Sequence, residues 1–254
     1  MKYAPYIRVV PQADTAVLMI HGIVGTPEHF KDLMPLIPES WSIYNILLDG
    51  HGGEVEDFAH TSMAKWRCQV HKQLNRILAT HHRVLIIAHS MGTLFAIREA
   101  IHRPEKIAGL FLLNVPLTPY VQPKTAAASF RIVTGKPRNN GATRAILGAT
   151  GVHLSPKLWK YIGWPPRFLE LLRECYRTID RLPYLKTPTL CFQSRHDELV
   201  SMRGCKYLYA QPYITTTILE SSGHFAYSKI DTVLLQRKLK EIIKKLASQK
   251  GGTP

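Results

Sequence analysis

Ser90 stands in the run Ala88-His89-Ser90-Met91-Gly92, where a short β-branched apolar stretch beginning at Arg83 meets residues with apolar positions at helical spacing, as far as Ala100. A strand that turns sharply into a helix holds the residue at the join in a strained backbone conformation and pushes its side chain out of the turn. Such a turn needs very small residues two positions away on either side. Ala88 and Gly92 meet that need; glycine is usual at both places, and Ala88 departs from the pattern by one methyl group. A strand followed by a serine-capped helix would read the same in isolation, so the other parts of the chemistry must be sought elsewhere in the chain. A serine hydroxyl is a poor nucleophile near neutral pH. It needs an imidazole to take its proton and a carboxylate to orient that imidazole.

Two later apolar runs end in loops of suitable composition. Pro188 to Phe192 leads into Gln193-Ser194-Arg195-His196-Asp197-Glu198, and Thr215 to Leu219 leads into Glu220-Ser221-Ser222-Gly223-His224-Phe225. Asp197 and His224 therefore follow Ser90 in the order serine, acid, histidine, each just beyond a separate strand. Glu198, one residue from Asp197, and Glu220, directly after the last strand, are rivals for the acid. His89 fits the base less well, because on the turn beside Ser90 its ring should point elsewhere, and Asp180 precedes its strand. The anionic tetrahedral intermediate of acyl transfer needs two preorganised backbone N–H groups. Met91 supplies one, and the loop His21-Gly22-Ile23 after an early strand is placed to offer the Ile23 N–H as the second.

These residues require strands that all end on one side. Ala16 to Ile20, Trp41 to Leu48, the run from Arg83, Ile107 to Leu113, Pro188 to Phe192 and Thr215 to Leu219 read as strands, with Tyr6 to Val10 as a weakly alternating edge strand. Helices are expected between them. Thr26 and Pro27 open one carrying Phe30, Leu33, Met34 and Ile37. Ser62 to Ala79 forms another, capped by Thr61 or Ser62, with Ala64, Cys68, Leu74 and Leu78 turned inward. Ser201 to Leu208 can start a further helix, and Thr232 to Leu246 closes the chain with the stripe Leu235, Leu239, Ile242 and Leu246. Strands separated by such helices call for right-handed crossovers and a mostly parallel central sheet flanked by helices, an α/β fold.

Asn114 to Thr187 breaks the alternation. It holds no strand pattern, carries twelve Lys and Arg against Glu170, Glu174 and Asp180, and is too long for a simple connection. It reads as a mainly helical lid inserted into a core formed by residues 1–113 and 188–254, with Phe130, Trp159, Tyr161, Trp164 and Phe168 available to line an apolar pocket or to pack on the core.

The 254 residues carry 33 Lys and Arg against 18 Asp and Glu, a net charge of +15. No basic run with interleaved aromatics and no nucleic-acid motif accompanies this charge, so nucleic acid is not an expected partner and a basic soluble surface is the plain reading. The basic C-terminal helix could touch a membrane, but packing on the sheet accounts for the same pattern. Met1 to Pro11 lacks a sustained apolar segment with a small-residue cleavage site, so a cytoplasmic location is expected. Cys68, Cys175, Cys191 and Cys205 have no zinc-ligand spacing and are expected to be reduced and mostly buried; no metal is called for. Ser248 to Pro254 look disordered.

Five segments together carry a family likeness: HGIVGTPEHF, LLDGHGG, AHSMG, RHDELV and SSGHF. The chain resembles, over nearly its whole length, the α/β-hydrolase carboxylesterases and monoacylglycerol lipases. The resemblance implies the α/β-hydrolase fold, a triad of Ser90, Asp197 and His224, an oxyanion hole from Ile23 and Met91, and a lid between the strand before it and the acid-bearing strand. It implies cleavage of a small-molecule carboxylic ester through an acyl-enzyme without metal or organic cofactor, and a structural place for His51. The same elbow also serves thioesters, amides and lactones, and the fold does not choose among them.

Overall fold

The apolar runs gather into one sheet in the computed structural model, which describes residues 3–248. The strands are β1 (Tyr6–Arg8), β2 (Thr15–Ile20), β3 (Ser42–Ile46), β4 (Arg83–His89), β5 (Ile107–Leu113), β6 (Thr189–Ser194) and β7 (Ile214–Leu219). Their order across the sheet is β1-β3-β2-β4-β5-β6-β7. β1 pairs antiparallel with β3 at one edge, and every other pairing is parallel. The helices are α1 (Val55–Ala59), α2 (Met63–Leu78), α3 (Met91–His102), α4 (Pro123–Val133), α5 (Gly141–Ala149), α6 (Pro165–Arg181), α7 (Cys205–Tyr209) and α8 (Lys229–Ser248).

Alternation along the central strands divides the core between two faces. Leu18, Ile20, Ile86, Ala88, Leu110 and Leu112 pack with Trp66, Val70 and Leu74 of α2 and with Leu94 and Phe95 of α3. Val17, Met19, Leu85, Ile87, Phe111 and Leu113 pack on the other side with Phe30, Trp41, and Leu235, Leu239 and Ile243 of α8. Each such side chain removed from water contributes about 1.5–3 kcal/mol, so the central strands are the most strongly held part of the chain.

The structure corrects several local expectations. Residues 27–37 form two short 3-10 turns, Pro27–Phe30 and Met34–Leu36, instead of one helix. Pro35 is the reason: it has no N–H to donate and its ring would strike the carbonyl one turn back. In α2 the cap is Ser62, which accepts from the Lys65 amide at 3.1 Å. Its inward stripe is Met63, Trp66, Val70, Leu74 and Ile77, while Ala64 and Cys68 sit a step round the helix and are exposed. Residues 202–208 are split into a 3-10 turn and α7, and in α8 Ile243 rather than Ile242 completes the buried stripe. Ser248 lies within α8; the rest of the tail expected to be disordered lies outside the described residues. No described helix is long and apolar enough to cross a membrane.

The insertion between β5 and β6 contains α4, α5, a 3-10 turn (Leu158–Tyr161) and α6, and its two halves are held differently. α6 is anchored to the core by a buried carboxylate: Glu174 accepts from Arg67 of α2 at 2.9 Å and from Arg181 at 3.0 Å, with Arg177 at 3.8 Å. Glu170 accepts from the Met63 amide at 2.8 Å. α4 and α5 instead share a small apolar cluster of Ala128, Ile132 and Ile146 that reaches Leu154 and Phe225. Removing the Glu174 carboxylate leaves guanidinium groups without their common anion, so Glu174→Ala should cost about 2–4 kcal/mol in urea unfolding. Arg177→Ala, at the exposed rim, should cost under about 1 kcal/mol. Equal and small losses in the two variants would show that α6 is not anchored through this group.

Candidate active site

The β4–α3 junction sets the geometry. Ser90 has φ 49° and ψ −124°, a left-handed backbone conformation that costs a non-glycine residue about 1–3 kcal/mol. It is held there by its own amide, which donates to the Leu113 carbonyl at 2.9 Å, and by its carbonyl, which accepts from the Thr93 amide and hydroxyl. A side chain at Gly92 would place its Cβ 2.2 Å from the Ile20 carbonyl oxygen, so only glycine lets α3 approach the end of β2 this closely. Ala88 is fully buried in the core, where its methyl group is accommodated.

The loop after β2 lies against this turn. A Cβ on Gly22 would fall 2.8 Å from the Cβ of Ser90. Val24 has φ 53°, the Gly25 amide donates to the Gly22 carbonyl, and the Gly151 amide donates to the Val24 carbonyl at 2.7 Å. His21 fastens the loop from below: its Nδ1–H donates to the Gly22 carbonyl at 2.9 Å, and its Nε2 accepts from the Leu48 amide at 3.0 Å. The amides of Ile23 and Met91 are left without an acceptor among the described residues. The same is true of the Ser90 hydroxyl.

Beyond β6 and β7, His224 Nδ1 donates to Asp197 Oδ2 at 2.8 Å, and both side chains are buried. The other oxygen of Asp197 accepts from the amides of Leu199 and Val200 at 2.8 and 2.7 Å. The two rival carboxylates are otherwise engaged. Glu198 accepts from the backbone amide of His224, and Glu220 pairs with Arg195, whose cation holds its carboxyl below the usual range, out in solvent. Asn114, at φ 53°, joins the loops: its side chain accepts from the Ser194 amide at 2.9 Å and donates to the Gly223 carbonyl at 3.4 Å. Gln122, the N-cap of α4, ties the insertion to the same place, donating to the Asp197 carbonyl from its side chain and to the Glu198 carbonyl from its backbone, both at 2.9 Å.

Sequence reasoning missed the imidazoles packed beside His224. The His89 ring, expected to point elsewhere, lies 4.8 Å from the His224 ring and stacks at 3.7 Å on His29, whose Nε2 is 3.2 Å from the Tyr227 hydroxyl. The available signal was that His89 ends β4; His29, nine residues beyond β2 in the turn Pro27–Phe30, carried none. Burial, reinforced by the neighbouring His224, pushes His29 down to about 3, and burial with His29 and His224 beside it pushes His89 well down. His51 is structural: it is buried edge-on to His21 at 4.8 Å and to Phe58 at 5.3 Å.

A cavity of about 370 Å³ opens beside His224. Ile23, Val24, Leu199 and Phe225 form its floor with His29 and His89, and Val121, Phe130, Ile146, Tyr161, Trp164 and Phe168 of the insertion form its wall. Trp159, counted among the pocket aromatics from sequence, faces outward instead, because its 3-10 turn presents Tyr161 to the cavity. Trp164 also pins the insertion to the core, with its indole N–H on the Val55 carbonyl at 2.8 Å and its ring 4.5 Å from Phe58.

Burial pushes His51 down to about 4, partly offset by the Asp49 and Leu48 carbonyls, from an ordinary histidine value near 6.5. The folded chain thus takes up this proton less readily than the unfolded chain. The associated stability is present in full above about pH 6.5 and is lost as pH falls toward 4, at about 1.4 kcal/mol per pH unit. Unfolding free energy from urea titrations should therefore drop on going from pH 7 to pH 5, with His51 responsible for about 2 kcal/mol. His51→Gln should flatten that dependence by about one proton, and an unchanged slope would contradict the assignment.

Residues 17–229 match the alpha/beta hydrolase family. Among solved structures, one from work on the metagenome-derived lipolytic enzymes LipS and LipT superposes with a TM-score of 0.71 at 21% identity, covering 94% of this chain and 97% of that one. A monoacylglycerol lipase from Paleococcus ferrophilus gives 0.66 at 18% identity, covering 96% and 99%. The thioesterase domain from the curacin biosynthetic pathway gives 0.60 at 18% identity, covering 94% and 99%. A search of the curated proteins finds no match.

Proposed function

Because the chain belongs to the alpha/beta hydrolase family, we propose that it is a serine hydrolase that cleaves carboxylic esters of the carboxylesterase or monoacylglycerol lipase kind through an acyl-enzyme on Ser90. The observation that carries this reading is the His224–Asp197 hydrogen bond, at 2.8 Å, on loops that follow β6 and β7 at the same sheet end as the strained Ser90 turn.

Ser90 Oγ attacks the ester carbonyl carbon while His224 Nε2 takes its proton, and Asp197 holds the Nδ1–H and stabilises the imidazolium that forms. The charge that develops on the carbonyl oxygen is received by the Ile23 and Met91 amides, a contribution of about 3–4 kcal/mol per donor in such sites. Collapse of the intermediate expels the alcohol, which takes the proton from His224. A water, deprotonated by the same imidazole, then releases the acid and regenerates Ser90. Ser90 and His224 share no hydrogen bond among the described residues; such contacts commonly tighten only when substrate is bound. These steps use protein groups and water only.

The apolar cavity supports a hydrophobic acyl group, and α4, α5 and the Tyr161 to Phe168 segment are proposed as the lid that shapes it. A cytoplasmic site of action is supported by the cysteines, all four of which are unpaired.

A fluorophosphonate should label Ser90, as read by peptide mapping, and Ser90→Ala should lose both label and turnover. Asp197→Asn should lose about 10³–10⁴ in kcat, since it favours the wrong imidazole tautomer, while Glu220→Gln stays near wild type. The reverse pattern would transfer the acid role to Glu220. Matched esters and thioesters of the same acyl group separate the two substrate classes, and a thioester preference would make the protein a thioesterase on this triad. For the lid, Phe130→Ala, Trp164→Ala and Phe168→Ala should be compared on short-chain and long-chain esters. At least one should shift the ratio of kcat/KM about tenfold, because each lost methylene contact is worth about 1–3 kcal/mol. Uniform effects at every chain length would make the segment a scaffold.

A further inference from the structure

The charge of the insertion is one-sided. From Asn114 to Leu169 the chain carries eight Lys and Arg and neither Asp nor Glu. Lys160 pairs with Glu56 of α1 and Arg167 with Glu170, but Lys124, Arg131, Lys136, Arg138, Arg144 and Lys157 have no carboxylate partner among the described residues. The same segment exposes large apolar side chains. Val121 and Phe130 line the cavity and are yet 54% and 62% exposed, so they stand at its mouth. Trp159 and Ile162, which flank the cavity-lining Tyr161, are 65% and 77% exposed.

We propose that this face of the insertion docks on an anionic lipid bilayer, with Val121, Phe130, Trp159 and Ile162 entering the interface and the unpaired Lys and Arg contacting lipid headgroups. The inference rests on the reading of the cavity as an acyl site, whose mouth would then face the bilayer that holds the acyl chain. Basic residues are each attracted to an anionic leaflet within about a Debye length, and exposed aromatic and aliphatic side chains add apolar burial in the headgroup region. An acidic protein would satisfy the charge, but it gives no reason for Val121 and Phe130 to stand exposed at the cavity, or for Trp159 and Ile162 to stand exposed on either side of Tyr161.

The test is flotation of the full chain with Ser90→Ala, to remove hydrolysis, on vesicles of phosphatidylcholine alone and of phosphatidylcholine with 30% phosphatidylglycerol. At 0.1 M NaCl the partition coefficient should be at least tenfold higher on the anionic vesicles, and most of that gain should vanish at 0.5 M NaCl. The triple variant Lys136→Glu, Arg138→Glu, Arg144→Glu should lose the preference. The double variant Trp159→Ser, Ile162→Ser should weaken binding at least fivefold at both salt concentrations. In the Ser90 background these changes should leave hydrolysis of a soluble short-chain ester unaltered, since none of the five residues belongs to the site. Equal binding to both vesicles, or no binding to either, would overturn the proposal, and soluble-ester hydrolysis in that case would leave the esterase reading standing. Vesicle binding by a protein that hydrolyses no ester would do the opposite.

Discussion

The first turn of α3 touches the end of β2 through backbone atoms, and the candidate site depends on that contact. At Gly92 there is no room for even a methyl group beside the Ile20 and His21 carbonyls. The approach forces Ser90 into its left-handed conformation and brings the following loop so close that Gly22 also meets the Ser90 side chain. The strain is tolerated because β4 is the centre of the sheet, paired on one side by the fully buried β2 and on the other by β5, of which only Ala108 is partly exposed. A strong core thereby holds one weak, costly conformation in place.

The insertion is not a separate object laid over this arrangement. The Gly151 amide donates to the Val24 carbonyl, and a side chain at Gly151 would collide with the Gly25 carbonyl. At the other end Gln122 and Tyr120 bond to the carbonyls of Asp197, Glu198 and Leu199. The same polypeptide segment thus braces the loop proposed for the oxyanion and the loop of the proposed acid. α6, fastened by Glu174, carries the load of attachment, while α4 and α5 hold a much smaller apolar contact of their own. Any displacement of α4 and α5 would pull on both loops.

Much of this was legible in the sequence because it rests on short-range rules. Uninterrupted apolar runs located the strands within a residue or two, and small residues around Ser90 together with polar loops after β6 and β7 located the proposed triad. The errors came where longer-range facts decide. Pro35 cuts a helical pattern into two turns, and the α2 stripe departs from the pattern because Ala64 and Cys68 suit either face of a helix. The stacking of His29 on His89 joins residues sixty positions apart, and no periodicity announces it. Likewise Glu198 and Asp197 were indistinguishable from composition, and only the loop geometry turns one to the ring of His224 and the other to its backbone amide.

The positive charge and the proposed chemistry occupy different electrostatic worlds. Inside, burial keeps His21, His29, His51 and His89 uncharged, so the imidazolium that would form on His224 faces no permanent cation among these rings. Outside, the cations of the insertion are exposed to water, where a unit charge about 10 Å away acts with only about 0.4 kcal/mol before salt screens it further. Two backbone amides aimed at an oxyanion in a dry pocket contribute several times as much. The exposed charge therefore does little for bond cleavage. Its scope is encounter, where many weak attractions add over a surface, and that is why a strongly basic cover can sit over a site whose neighbouring histidines burial keeps neutral.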